Sequence, residues 1–308
     1  MKKNLFTILA LFTGLSSFTQ TATEDGKSLI ESYISPLGNS LGAALNNGWY
    51  NTAKPHSLGG FDITITANIV MIPNNAKTFN ISESNGGTFT GGETPTILGN
   101  GEGASATYNA TSSSAMPKGL NIPFIPLPML QAGVGLIKGT ELDFRYMPAL
   151  PILSSGKVGL FGVGIKHDIL QWLPIVDKIP IDLSIQAGYT KLSSEIELID
   201  PTATIDPQAN LDVSATTVNL ILSKKLLMFT PYLGLGYNST KTTFNVEGDY
   251  NVAGLAIDMS DLTKIDFENK GFRANIGFRF NITVLALQAN YTFSEYPTAT
   301  LGLGVSLR

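Results

Sequence analysis

Between residues 272 and 282 the chain alternates without a break. Phe272, Ala274, Ile276, Phe278, Phe280 and Ile282 are apolar, and Arg273, Asn275, Gly277, Arg279 and Asn281 sit between them. The final stretch repeats the pattern, with Leu301, Leu303, Val305 and Leu307 interleaved with Thr300, Gly302, Gly304 and Ser306. In a strand, successive side chains point to opposite faces. Each segment therefore has one greasy face and one face of arginines, amides and glycines. A water-soluble barrel turns its apolar face inward. So many lumen-type polar faces, in a chain that opens with an export signal, fit the opposite arrangement. That arrangement is an all-β, antiparallel transmembrane barrel, apolar toward lipid and polar toward its lumen.

The export signal is read from Lys2 and Lys3, the apolar run 5–15, and Ser17-Phe18-Thr19, with cleavage expected before Gln20. The apolar run is well short of the ~20 residues a spanning helix needs. The best later helical candidate, 218–229, is interrupted by Lys224 and Lys225. A membrane protein built from this chain must therefore span with strands. Charged residues make up 14 % of the chain, against a typical ~25 %, as expected when half of each strand faces lipid. Loss of Lys2 and Lys3 takes the formal charge from −4 to −6, which disfavours nucleic acid as a partner. Cysteine is absent, which excludes disulfides, a thiolate nucleophile and a cysteine-linked lipid anchor.

The organisation expected is a signal peptide over 1–19, an N-terminal helical plug or hatch over 20–58, and a transmembrane barrel over 59–308. In 21–47, Leu29, Ile30, Tyr33, Ile34, Leu37, Leu41 and Leu45 recur at helical spacing. Pro36 and several glycines interrupt them, so one or two short amphipathic helices are expected. Ten strands are predicted at 61–71, 129–137, 140–147, 158–167, 181–190, 211–223, 229–238, 272–281, 284–293 and 298–308. Most have about the 9–11 residues a tilted membrane strand requires. A further hairpin within 72–128, near 78–84 and 105–111, would make twelve. The expectation is thus ten to twelve strands, inside an outer range of ten to fourteen. With the C-terminus periplasmic, most connections alternate between short turns and long outer loops, as such barrels do. Two do not: 168–180 is long for a periplasmic turn, and 295–297 is short for an outer loop.

The lumen face carries the candidate site. Glu141, Asp143 and Arg145 share one strand face, as do Arg273 and Arg279. Buried charges are usually paired, so they are expected to pair across the barrel and fix the plug, whose own residues include Trp49, Tyr50, Lys54 and His56. A second row is glycine: Gly133, Gly135, Gly162, Gly164, Gly234, Gly236, Gly302 and Gly304. Glycine in a strand marks a bend or a close approach of other atoms. It is read here either as barrel curvature or as room for an object in the lumen. Whether the N-terminal segment lies in the lumen or beneath it is open at this level.

No catalytic constellation emerges. His56 lies beside a turn proline, and His167, between Lys166 and Asp168, selects no serine partner. No metal spacing or phosphate loop is present, and Asp200, Asp206, Asp249, Asp258, Asp261 and Asp266 read as solvated loop residues rather than a calcium site. No cofactor or metal is expected.

The order of parts resembles the FadL-type long-chain fatty-acid transporters. The likeness lies in Ser40-Leu41-Gly42-Ala43-Ala44, then Trp49 to Pro55, then a first strand beginning Gly60-Phe61. The Asn47 to His56 run is similar to that of uncharacterised barrel proteins of Bacteroidota. The first resemblance implies an N-terminal hatch and lateral passage of hydrophobic compounds, although the strand count is below the fourteen of that class. The function expected is an outer-membrane channel for small hydrophobic molecules in a Gram-negative bacterium, gated by its N-terminal segment. The alternative is a structural or partner-binding barrel using loops 72–128 and 239–271. The expected partners are outer-membrane lipid, a small hydrophobic ligand and a protein bound through the outer loops.

Overall fold

A computed structural model describes residues 20–110, 112–152, 156–173, 180–197, 208–247, 249–252, 255–258 and 264–307. The signal-peptide expectation for 1–19 and the loop aspartates Asp200, Asp206 and Asp261 lie outside them. Ten strands close into one antiparallel barrel. They are β1 (Phe61–Met71), β2 (Phe124–Gly135), β3 (Thr140–Ile152), β4 (Gly156–Asp168), β5 (Asp182–Glu197), β6 (Gln208–Ser223), β7 (Phe229–Glu247), β8 (Ile265–Ile282), β9 (Leu285–Phe293) and β10 (Thr298–Leu307). β1 closes the barrel by pairing with both β10 and β2. Closure leaves no free sheet edge, the condition for strands to cross lipid.

The alternation read from sequence sets the faces. Ile63, Ile65, Ile276, Phe278, Leu301, Leu303 and Val305 are exposed on the outside, while Asp62, Thr64, Thr66, Arg273, Asn275 and Arg279 are buried inside. A continuous apolar exterior of this kind is the surface a bilayer covers.

The strands β5 to β8 run 16–19 residues, longer than expected, because 191–197, 208–210, 239–247 and 265–271 are strand rather than loop. In these extensions the polarity inverts. Along β6, Thr217 and Asn219 point inward below Leu211, Val213 and Ala215, which also point inward, and the outward row changes from Leu220 and Val218 to Asp212 and Asn210. β8 does the same: outward Phe278, Ile276 and Phe272 give way to Lys270, Glu268 and Asp266, and inward Arg273 gives way to Phe267 and Ile265. The wall is membrane-like near the short turns and built like a soluble protein near the long loops.

Among the described residues one α-helix, α1 (Gln20–Asn46), occupies the lumen; at 27 residues it is longer than the one or two short helices expected. Pro36 lies inside it. A proline normally breaks a helix by removing a hydrogen bond and clashing with the preceding turn; here apolar contacts on both sides of Pro36 hold the axis. Leu29, Ile30, Tyr33 and Ile34 pack on Ile81, Phe89, Ala106 and Met116 at the long-loop end. Ala44 and Leu45 join Met129, Met147, Leu160, Leu192, Leu211 and Val213 of the wall.

The additional hairpin does not join the barrel. Thr78–Asn80 pairs with Glu93–Pro95, and Ser105–Tyr108 pairs with Phe89–Thr90 and Ser112–Ala115, as two small sheets over the barrel mouth. Their strands are two to four residues long, far below the span of a bilayer. Asp25 of α1 accepts from Gly86 N at 3.1 Å and from the Thr88 hydroxyl, tying the helix to this cap.

Candidate functional site

Below α1 the chain descends through the lumen to the short-turn end. The barrel wall holds it chiefly by its main chain. Arg145 donates from Nη1 to Leu45 O at 2.8 Å and from Nη2 to Asn47 O at 2.7 Å. Arg273 donates to Asn46 O and to Asn47 Oδ1, both at 2.5 Å. Asn68 Nδ2 donates to Ala44 O at 2.7 Å. Leu45 O and Asn46 O are carbonyls that a helix C-terminus leaves unsatisfied, and cations are favoured there. Two wall arginines thus act as the C-terminal cap of α1.

The contacts continue downward. Gln131 Nε2 donates to Trp49 O at 3.1 Å, the Tyr50 hydroxyl to Asn275 Oδ1 at 3.0 Å, and Arg279 Nη1 to Asn51 Oδ1 at 2.6 Å. Ser184 donates to Ala53 O, and Ala53 N donates to Ser223 Oγ at 3.0 Å. At the bottom, Glu141 Oε2 accepts from His56 N and meets His56 Nδ1, each at 2.7 Å, while its Oε1 accepts from Lys166 Nζ at 2.7 Å. Gly59, at φ +79°, then lets the chain reverse into β1.

The expected pairing is therefore corrected in its chemistry. Arg145 and Arg273 reach carbonyls of the lumenal segment, because helix termination presents carbonyl oxygens at their level, and Arg279 reaches the Asn51 side-chain amide. Glu141 instead pairs with His56 and Lys166. Asp143 accepts only a long contact from Gln131, at 3.4 Å. Lys54 is exposed at the short-turn end and is not a lumen residue.

The glycines divide. Gly135 faces the His56 and Ser57 backbone, Gly164 faces the Trp49 ring and Gly234 faces the Tyr50 hydroxyl, so three of them make room for the segment. Gly133 faces Asp62 and Asp143, and Gly162, Gly236, Gly302 and Gly304 lie against wall residues Thr190, Asn219, Gln288 and Thr64. Gly188, on the same inward row, was missed; a Cβ there would drive into Trp49. Asn68, Gln131, Lys166, Ser184 and Ser223 were missed as contacts too. Their signal was parity, since each is a polar residue on an inward row.

His167 lies outside the lumen contacts. Its Nδ1 pairs with the Thr140 hydroxyl at 2.9 Å, and its Nε2 accepts from the Trp172 indole at 3.0 Å.

The second feature is a seam in the wall. β2 and β3 pair only from Leu130 opposite Tyr146 to Gly135 opposite Glu141. Beyond that point β2 continues against β1 from Met129 to Phe124. β3 continues against β4 to Ile152 through a register shift between Met147 and Leu150. The two strands part toward the long-loop end. Pro126 and Pro128 lie on one lip and Pro148 and Pro151 on the other. Proline cannot donate to a ladder and is tolerated where its missing N–H faces an unpaired edge. Behind the seam the lumen is apolar: Leu127, Met129, Met147 and Leu160 are buried there with Ala44 and Leu45 of α1.

A family model matches this sequence over residues 1–307. The chain belongs to a family of unknown function, DUF6588. A comparison with curated proteins gives no match for this member of the family. Among solved structures, it is similar to the translocator domain of the autotransporter NalP from Neisseria meningitidis, with 12 % identity and a TM-score of 0.34 over 90 % of this chain and 96 % of that one. It is also similar to the Ralstonia pickettii toluene transporter TbuX, with 8 % identity and a TM-score of 0.27 over 87 % and 96 %. The Pseudomonas putida toluene transporter TodX follows, with 9 % identity and a TM-score of 0.22 over 85 % and 95 %.

Proposed function

We propose that this protein is an outer-membrane channel of a Gram-negative bacterium that passes small hydrophobic molecules sideways, between its long-loop mouth and the surrounding lipid, with the 20–58 segment as the gate. The observation that carries the reading is the β2–β3 seam, whose lips diverge above Leu130 and Tyr146 and whose inner side is lined by Leu127, Met129 and Met147. Methionine packs adaptably against varied apolar shapes. An axial route is disfavoured, because the lower lumen is filled by the bonded segment among buried Arg145, Arg273, Glu141 and Lys166. An apolar molecule on that path would strip those groups of their partners.

The test uses the absence of native cysteine. Pro128→Cys and Pro148→Cys are installed together and joined by a short thiol cross-linker, and entry of an apolar fluorophore into the lipid is followed. Cross-linking is expected to abolish protein-dependent entry, and cleaving the linker to restore it. Full entry with the seam closed would overturn the lateral route. Deletion of 21–47 is expected to raise permeability; unchanged permeability would remove the gate. If entry never depends on the protein, a structural or partner-binding barrel replaces the channel reading.

A further inference from the structure

The short-turn end bears an apolar and basic rim that neither the lumen nor the seam uses. The β6–β7 hairpin reads Lys224-Lys225-Leu226-Leu227-Met228-Phe229. It is closed by Leu226 N donating to Phe229 O at 2.7 Å and Phe229 N donating to Leu226 O at 2.9 Å. Leu227 at its tip is 91 % exposed and has φ +56°. Two costs meet at this residue. A leucine occupies left-handed backbone where glycine or asparagine ordinarily sits, and its whole side chain is displayed to solvent. In the interfacial layer of a bilayer the second cost becomes a gain.

The neighbours fit that setting. Leu226, Met228 and Phe229 are exposed beside Leu227. Phe229 packs against the lipid-facing Phe278 of β8, with ring centroids 5.6 Å apart, and leads into the outward Leu233 and Leu235 of β7. On the next connection around the rim, Trp172 is exposed with its indole anchored on His167, the placement favoured for tryptophan at a membrane interface.

Among the described residues, the fully exposed charges on the rim have one sign. Lys138, Lys224 and Lys225 stand at the turns. The described carboxylates of this end are less open: Asp62 and Glu141 are buried, and Asp168 and Asp182 are half-buried, Asp168 accepting from Leu170 N at 2.9 Å and Asp182 from the Ser223 hydroxyl at 3.5 Å. A basic rim on a chain of net charge −4 is complementary to an anionic surface.

We propose that the short-turn rim binds anionic phospholipid. Lys138, Lys224 and Lys225 meet lipid phosphates while Leu226, Leu227 and Met228 enter the acyl layer beside them. Continuity with the lipid-facing belt favours a lipid over a protein partner.

Native mass spectrometry of the full chain, titrated with phosphatidylglycerol or with phosphatidylcholine of the same acyl chains, tests this. Phosphatidylglycerol is expected to be retained preferentially, and raising the salt is expected to erase the preference. The triple variant K138Q/K224Q/K225Q is expected to lower phosphatidylglycerol retention on the order of a hundredfold, the factor that about 1 kcal/mol for each of three basic residues implies, with phosphatidylcholine unchanged. K191Q/K270Q, at the other end of the barrel, is expected to behave as wild type. A heat-dependent gel shift reports that each variant is folded. If a variant fails to fold, the salt series on the native chain decides alone. Equal retention of the two lipids by the native chain, a salt-insensitive preference, or full retention by the folded triple variant would overturn the proposal, as would a co-purifying protein that competes with the lipid at the rim.

Discussion

The Arg145 guanidinium lies 3.6 Å over the ring of Trp49, while its two Nη atoms hold the carbonyls of Leu45 and Asn47. One wall residue therefore ends the helix and seats the aromatic ring that follows it. The stack and the fork use different features of the same planar cation, which lysine does not offer. Trp49, 1 % exposed, is closed in on its other sides by Gly164 and Gly188 of β4 and β5.

Arg145→Ala is expected to cost about 3 kcal/mol, the size of hydrogen bonds to a charged group lost from a buried site. Arg145→Lys should recover less than half of that, because an ammonium cannot grip two carbonyls and lie flat on an indole. Urea unfolding in a bilayer mimetic measures both. A lysine variant as stable as the native chain would show that charge alone suffices.

Gly188→Val should displace Trp49. The added atoms would occupy the space of the indole ring, and a close-packed interior has no room to move it. In a Trp172→Phe background, where Trp49 is the remaining tryptophan, its emission is expected to shift to the red and the 47–56 segment to become open to protease. An unshifted spectrum would contradict the packing described.

The polarity inversion in the upper wall gives a third outcome. Leu192 is buried against Leu211, Val213 and the α1 residues, so Leu192→Ala is expected to cost about 3 kcal/mol. Its outward neighbour Lys191, half exposed beside Asp212 at 3.5 Å, should tolerate alanine within roughly 0.5 kcal/mol. Equal costs at the two positions would mean that the upper strands carry lipid on the outside.

Alkaline pH should loosen the cap. Burial raises the Tyr33 phenol, at the long-loop end above the lipid belt, from 10.0 to about 12, and the neutral hydroxyl donates to Lys118 O at 2.9 Å. A raised folded value means that the native state keeps a proton which the unfolded chain releases. The associated stability is complete below pH about 10 and is lost as pH climbs toward 12. Tyr296 is raised to about 12 by burial as well and adds to the same window. Melting curves across that window should be less steeply pH-dependent in Tyr33→Phe than in the native chain; identical slopes would exclude Tyr33 as a contributor.

The period-two pattern of 272–282 and 298–307 determined, without any structure, that the chain forms strands with one lipid face and one polar face. That pattern placed Arg273 and Arg279 on an inward row, and the alternation of 140–147 placed Arg145 on another, because side-chain parity is a local property of a strand. It did not carry the partners of those residues. That Arg145 caps a helix while Glu141 grips His56 depends on where α1 stops inside the lumen, some hundred residues away in sequence. Local rules left 21–47 as one or two short helices interrupted at Pro36 and the glycines, whereas apolar contacts on both sides of the proline keep 20–46 one long helix. The seam was illegible for a related reason. Pro126 and Pro128 read as loop residues in isolation, and only their pairing with β1 makes them strand. Strand pairing is non-local, so a sequence fixes which faces exist, while the closed barrel decides what each face meets.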